Sequence, residues 1–350
     1  MSYTNGLDKP TDYFNTVLYT GNGTDNHAIT GVGFQPDLVW GKARNAVLNH
    51  WIQNSVSGGT NYMYVNATDA EATASTVLKT FDSDGFTLGT ATSWNGSGNN
   101  YASWNWLAGG TASSNTDGSI TSTVSANTTS GFSIVSYTGS SSNSTVGHGL
   151  GSAPSMMIIK NRSSSYEWAV YHKDLSANHN LYLNNTNASA QSDVGDLWVS
   201  TAPTSSVFTV GGNKIYVNYA SENYIAYCFA EKKGYSKFGS YTGNGSTDGT
   251  FFYTGMKTSF VLLKETSNAN NWMLFDNKRS AFNLMDDFIS PDIADAETTG
   301  NANNRMDMLS NGFKIRGTGS ATNRSGSNFI YMAFAENPFV TSTGIPTTAR

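Results

Sequence analysis

Short apolar or alternating stretches run along the whole chain, parted by clusters of Gly, Asn, Ser and Asp. Spacings of about 8–12 residues between turn signals predict short strands joined by tight loops, as in a β-sandwich. Phe14–Thr20 reads as the first strand, with Gly21-Asn22-Gly23 as the turn after it. Leu38–Lys42, His50–Asn54 and Tyr62–Asn66 follow as further strands. Three stretches are nearly continuously apolar: Tyr101–Trp106, Tyr224–Phe229 and Phe329–Phe334. Such runs suit strands covered on both faces. No stretch predicts a helix longer than a turn or two, and Ser280–Ala296, with Asp286-Asp287 and Pro291, reads as an irregular insert.

The same pattern occurs three times. Tyr-Thr-Gly opens a window at Tyr19, Tyr137 and Tyr241; a Gly follows fourteen residues later (Gly33, Gly151, Gly255); Lys42, Lys160 and Lys264 close the windows without a gap. An apolar run precedes each Lys, and Trp51, Trp168 and Trp272 come eight or nine residues after it. Phe81-Asp-Ser-Asp-Gly-Phe86 matches Met308-Leu-Ser-Asn-Gly-Phe313, both with a turn dipeptide that tolerates positive φ. The middle copy keeps only Phe208 there, after Ser206-Val207, which predicts a different loop. Phe86, Phe208 and Phe313 are candidate core residues.

A repeat longer than a hundred residues is a domain and not a solenoid unit. The expected architecture is all-β: three tandem antiparallel β-sandwich modules at 14–110, 111–233 and 234–337, flanked by an N-terminal arm (1–13) and a C-terminal tail (338–350). Gly109–Gly131 supplies a leading edge strand around Ser119–Ser125. The shorter junction Lys232–Ser236 predicts that modules two and three are held as a fixed pair. The modules could ring a pseudo-threefold axis or follow one another in a line; the absence of heptads or a β-helix stalk favours a compact chain.

Charge narrows the function. Only 13% of residues are charged, against about 25% in an average soluble domain, and 25 acids outnumber 20 scattered bases. Nucleic acid is therefore not an expected partner. No apolar run reaches the length of a membrane span, so no membrane insertion is expected, and Met1–Asn15 lacks the apolar core of a signal peptide. The single Cys228 excludes an internal disulfide and a Cys-rich metal site.

Neither catalysis nor a cofactor is indicated. The five His residues recur at no shared position, no G-x-S-x-G or H-E-x-x-H occurs, and no strand carries the alternating acids of a sandwich glycanase. Asp82-Ser-Asp84-Gly85 lacks the further carboxylates of a calcium loop. Glu231 and Glu336 end equivalent strands, which suggests structural partners such as Lys160 and Lys264. Binding is the chemistry left open, because aromatic faces and side-chain amides are what grip sugars. The candidate ligand-binding residues are Trp94, Asn95, Asn99, Asn100, Trp198, Asn270 and Asn271; Trp94 and Trp198 do not recur and are expected at the surface, whereas the repeated Trp51, Trp168 and Trp272 are expected in the core.

Y-T-G-N-G, then G-F-x-P-D-L-V, Lys, Trp, D-G-F and the closing Y-x-x-W-x-W strand together resemble a module of tailed-bacteriophage virion proteins, especially those of marine phages. Gly6–Phe14 and Asp117–Val124 share that resemblance, which covers nearly the whole chain; the third module departs most, with Thr258 where the other two have Pro. The resemblance implies concanavalin-like sandwiches on an exposed part of a virion, made in a bacterial cytoplasm. Its expected partners are other virion proteins and a host-surface glycan, and it supplies no catalytic residue. A tail-fibre-like attachment protein is the leading expectation, a capsid-decoration or head-fibre protein without ligand the second, and a glycan-degrading enzyme the third.

Overall fold

In the computed structural model, which describes residues 7–347, every long element is a strand and the two helices are single turns, Thr92–Asn95 and Ser320–Asn323. The strands form six sheets, three large and three small, and all named pairings are antiparallel. Each large sheet faces one small sheet across its own apolar core, giving three sandwich layers. The strands of each sandwich come from a separate stretch of chain: 14–106, 113–229 and 236–338.

The closing strands Asn100–Trp106, Asn223–Phe229 and Asn328–Pro338 lie inside the large sheets, paired on both sides. Their residues alternate, as period-2 geometry requires. Tyr224, Ala226 and Cys228 face the second sandwich's own core, while Ile225, Tyr227 and Phe229 face away from it. The outward set does not meet water. Together with Ala102, Trp104 and Trp106 from the first sheet and Ile330, Met332 and Phe334 from the third, it forms one central core. The three large sheets therefore pack around a common axis. Trp106, Phe229 and Phe334 mark it, with ring centroids 6.2, 5.8 and 6.1 Å apart pairwise.

The contacts between sandwiches repeat around that axis. Asn54 Nδ2 donates to Tyr227 Oη at 3.1 Å, His172 Nε2 lies 3.3 Å from the Tyr331 carbonyl, and Trp104 Nε1 donates to Asp276 Oδ2 at 3.0 Å. Asn54, His172 and Asp276 hold the same register position, each opposite the residue that starts the apolar run before the repeated Lys: Leu38, Met156 and Phe260. The arrangement is a closed ring and not a line.

Several sequence features now have physical reasons. Gly21, Gly139 and Gly243 end the Tyr-Thr-Gly triplets because a Cβ there would lie 2.1–2.4 Å from a backbone oxygen. Gly33, Gly151 and Gly255 adopt positive φ, a region open to Gly without steric cost. Phe86, Phe208 and Phe313 are fully buried, each in its own sandwich core. The middle copy's altered loop leaves Val207–Val210 paired only with Ser144–Gly147, so that small sheet has two strands where the others have three.

Three expectations are corrected. The N-terminal arm is no arm over its described part: Leu7 joins the central core, Pro10–Asp12 forms a 3-10 turn, and residues 1–6 lie outside the described residues. The tail is no free tail over its described part either, since Ser342 N donates to Asp8 Oδ1 at 2.7 Å and Val340 bridges Pro346. Trp51 is also not the counterpart of Trp168 and Trp272. Register places Trp51 opposite Gly41 and in the first sandwich's core, one residue after the equivalent position. His50 occupies that position, buried in the ring with Nδ1 3.2 Å from Trp40 Nε1.

Candidate functional site

The predicted ligand residues separate into structural clips and seam contacts. Asn95 is buried: its Oδ1 accepts from Asn22 N at 2.9 Å and its Nδ2 donates to the Thr24 and Gly89 carbonyls, both at 2.8 Å. Asn323 repeats this with Asn244 N (2.9 Å) and the Ser246 and Gly317 carbonyls, and Asn218 holds Ser140 N and the Ser142 carbonyl. The residue before each clip accepts the phenol of the triplet Tyr: Tyr19 to the Trp94 carbonyl, Tyr137 to that of Val217, Tyr241 to that of Thr322. These bonds fasten the Tyr-Thr-Gly turn.

Trp94 and Trp198, expected at the surface, are 2% and 1% exposed. Trp94 stacks on Trp51 at 5.4 Å and donates to Gln53, while Trp198 packs on Tyr171 and donates to the His179 carbonyl. A large flat side chain gains more by covering core than by waiting in a loop. Asn100 is exposed but accepts from Thr20, as Asn223 does from Thr138 and Asn328 from Thr242. Asn99 is half-buried and donates to the Tyr101 phenol. Asn270 lies in the seam between the second and third sandwiches, its carbonyl accepting from Lys264 and its N–H donating to the Thr186 carbonyl. Asn271 next to it is half-buried.

Glu231 and Glu336 do not pair with Lys160 and Lys264. Glu231 pairs with Lys173 and Lys237, and Glu336 with Lys257. The repeated lysines lie fully buried and donate to carbonyls. Lys160 bonds those of Thr68 and Tyr166, Lys264 those of Thr186, Glu265 and Asn270, and Lys42 those of Ala43 and Ala46. Burial pushes each ammonium down to about 8, against the pull of nearby acids such as Asp69 beside Lys160.

One concave site has the chemistry expected of a sugar binder. It is a groove of about 420 Å³ at the outer edge of the second sandwich, beside the edge strand Leu181–Tyr182. Tyr182 and Tyr216 form its aromatic part, with centroids 5.2 Å apart and rings inclined at 57°. Tyr182 Oη donates to Ser192 Oγ at 3.0 Å and Tyr216 Oη to Asp193 Oδ1 at 2.9 Å. Burial holds both phenols above their ordinary pKa, so they stay protonated. Asn180, Asn185, Asn187 and Gln191 add amides, and buried Asn180 Oδ1 has no hydrogen-bond partner. The charged lining residues are Glu167 and Asp193.

Sequence reasoning missed these residues. The available signal was the run Asn184-Asn185-Thr186-Asn187, with Tyr182 just before it and Gln191 just after. Among the described residues no cluster of His, Cys, Asp and Glu could hold a metal ion, and no helix is long and apolar enough to cross a membrane.

Fold and site together define an all-β protein of sandwich layers closed into a ring, with an aromatic and amide-lined groove at one edge. It belongs to the DUF7483 family, described as a domain of unknown function, whose model spans residues 9–338. That match takes in all three sheet pairs as one unit. No curated protein and no solved structure matches the chain.

Proposed function

We propose that this chain is a bacteriophage virion surface protein that attaches to glycans on the host surface. The virion part is supported by the repeated Tyr-Thr-Gly module and its resemblance to virion proteins. The attachment part is carried by the groove at Tyr182, a half-buried ring backed by the buried Tyr216, where side-chain amides converge beside the aromatic wall. Aromatic faces cover the C–H side of a pyranose, and amides bond its hydroxyls. Mass spectrometry of purified particles tests the first part. A glycan array with the purified chain tests the second: binding is expected for the wild type and lost on Tyr182→Ala. A chain absent from particles, or array binding indifferent to Tyr182, would sink the respective part.

A capsid-decoration protein without ligand is the second reading, favoured by the ring, whose closed shape suits a fixed ornament as well as a fibre tip. Immunogold labelling separates the two, with tail labelling expected for attachment and head labelling for decoration.

A further inference from the structure

The three seams of the ring are built alike, but one lacks the ion pair that the other two carry. Arg44, Arg162 and Thr266 occupy one equivalent position, shown by their N–H bonds to the carbonyls of Asn100, Asn223 and Asn328 at 2.7–2.8 Å. Across the seam, Glu297, Glu71 and Ser189 are equivalent: their N–H groups donate to the Arg44, Arg162 and Thr266 carbonyls at 2.7–2.9 Å. In two seams the side chains then close an ion pair, Arg44 with Glu297 at 2.8 Å and Arg162 with Glu71 at 2.7 Å. Arg162 also donates to Ser136 Oγ.

In the third seam the pair is replaced by Thr266 and Ser189. A cleft of about 530 Å³ lies there, lined by Ser189, Thr266, Thr242, Asn328 and Ser240, the counterpart of Ser136. Its wall is hydroxyl-rich, with the one amide of Asn328, and Asp174 and His179 also line it.

This cleft adjoins the aromatic groove. Ala188 and Ala190 line the groove, whereas Ser189 between them lines the cleft. Consecutive Cα atoms are about 3.8 Å apart, so one thin segment of chain parts the two cavities, and it is exposed at Asn187 and Ala190.

We propose that groove and cleft are two subsites for one extended, uncharged oligosaccharide. This rests on the attachment reading above. The groove takes a sugar ring against Tyr182, which Tyr216 backs; the cleft takes further units through its hydroxyls and Asn328. Glu167 and Asp193 in the groove and Asp174 in the cleft repel acidic sugars, so uronate-containing chains are excluded.

Titration calorimetry with neutral glucan and N-acetylglucosamine oligomers of increasing length, chosen from array hits, tests this, with hyaluronate oligomers as the charged arm. For the wild type, affinity is expected to rise about tenfold or more from monosaccharide to hexamer. In Ser189→Glu/Thr266→Arg, which fills the cleft with the pair found in the other seams, the hexamer-to-monosaccharide ratio should collapse to about twofold or less. Ser240→Trp, at an exposed lining position, provides a second blockade should the double variant fold poorly. An undiminished ratio in the blocked variants, or hyaluronate binding as tightly as neutral oligomers, overturns the proposal while leaving the groove as an attachment site. Wild-type chain that binds no glycan on the array overturns both.

Discussion

Asn95 and Asn323 show what one buried amide does in this fold. Each satisfies a backbone N–H and a carbonyl of the turn, and a carbonyl of a second segment, that would otherwise be unpaired. Removing one partner of a buried hydrogen bond costs about 1–3 kcal/mol, because the group left behind is desolvated. Asn95→Ala and Asn323→Ala are each expected to lose about that much stability in urea denaturation, with glycan binding retained. Full loss of binding in Asn95→Ala at undiminished stability would restore it as a ligand residue. The lysines make a different prediction. An ammonium held at about 8 when folded, against its ordinary 10.5, binds fewer protons folded than unfolded across that interval. The cost of burying the charge is fully present below pH 8 and is relieved as pH rises towards 10.5. Tyr19, Tyr137 and Tyr241, raised by burial, act oppositely above pH 10, where the unfolded phenols ionise and the folded ones do not. Melting temperature should therefore climb from pH 8 to 10 and then fall, and Lys160→Met should flatten the climb. A wild-type profile already falling across pH 8–10 would contradict this.

At the scale of the element, the closing strands do two jobs with one alternating sequence. One set of side chains fills the strand's own sandwich and the other fills the ring's centre, so a lesion at the axis weakens all three sandwiches at once. Trp106 contacts Phe14, Phe132, Phe229, Phe260 and Phe334. Large-to-small changes at such sites cost about 3–5 kcal/mol. Trp106→Ala is expected to lower the single unfolding transition by that order, and not to split it into one shifted and two unshifted steps. Differential scanning calorimetry distinguishes these outcomes.

For the whole molecule, closure matters more than the number of strands. A globule of this length has a radius of gyration of roughly 20 Å, and small-angle scattering of the chain should return about that value for the ring. A markedly larger value would indicate sandwiches in a line. The ring also predicts that a single sandwich cannot stand alone. Expressed by itself, the stretch 111–233 would expose Phe132, Ile134, Met156, Ile158, Tyr227 and Phe229 on one face. A patch of that kind drives association, so the fragment should aggregate or form oligomers in size-exclusion chromatography.

The sequence by itself determined the strands, the threefold repetition and the double burial of the closing runs. Each follows from periodicity and turn chemistry, which act over a few residues. The repeated Gly positions were legible for the same reason, since a positive φ or a close backbone approach leaves few other choices. The destination of the outward faces was not legible: an apolar run states that both faces are covered but does not name the cover. Sequence spacing also misaligned Trp51 with Trp168 and Trp272, because register, and not distance along the chain, assigns a face. Trp94, Asn95 and Trp198 read as ligand residues because loop sequence resembles binding sequence; whether such a side chain turns inward depends on packing between distant segments. The groove at Tyr182 and Tyr216 brings together residues more than thirty positions apart. The cleft at Ser189 and Thr266 emerges only when three seams are compared in space, since only closure of the ring brings those residues together.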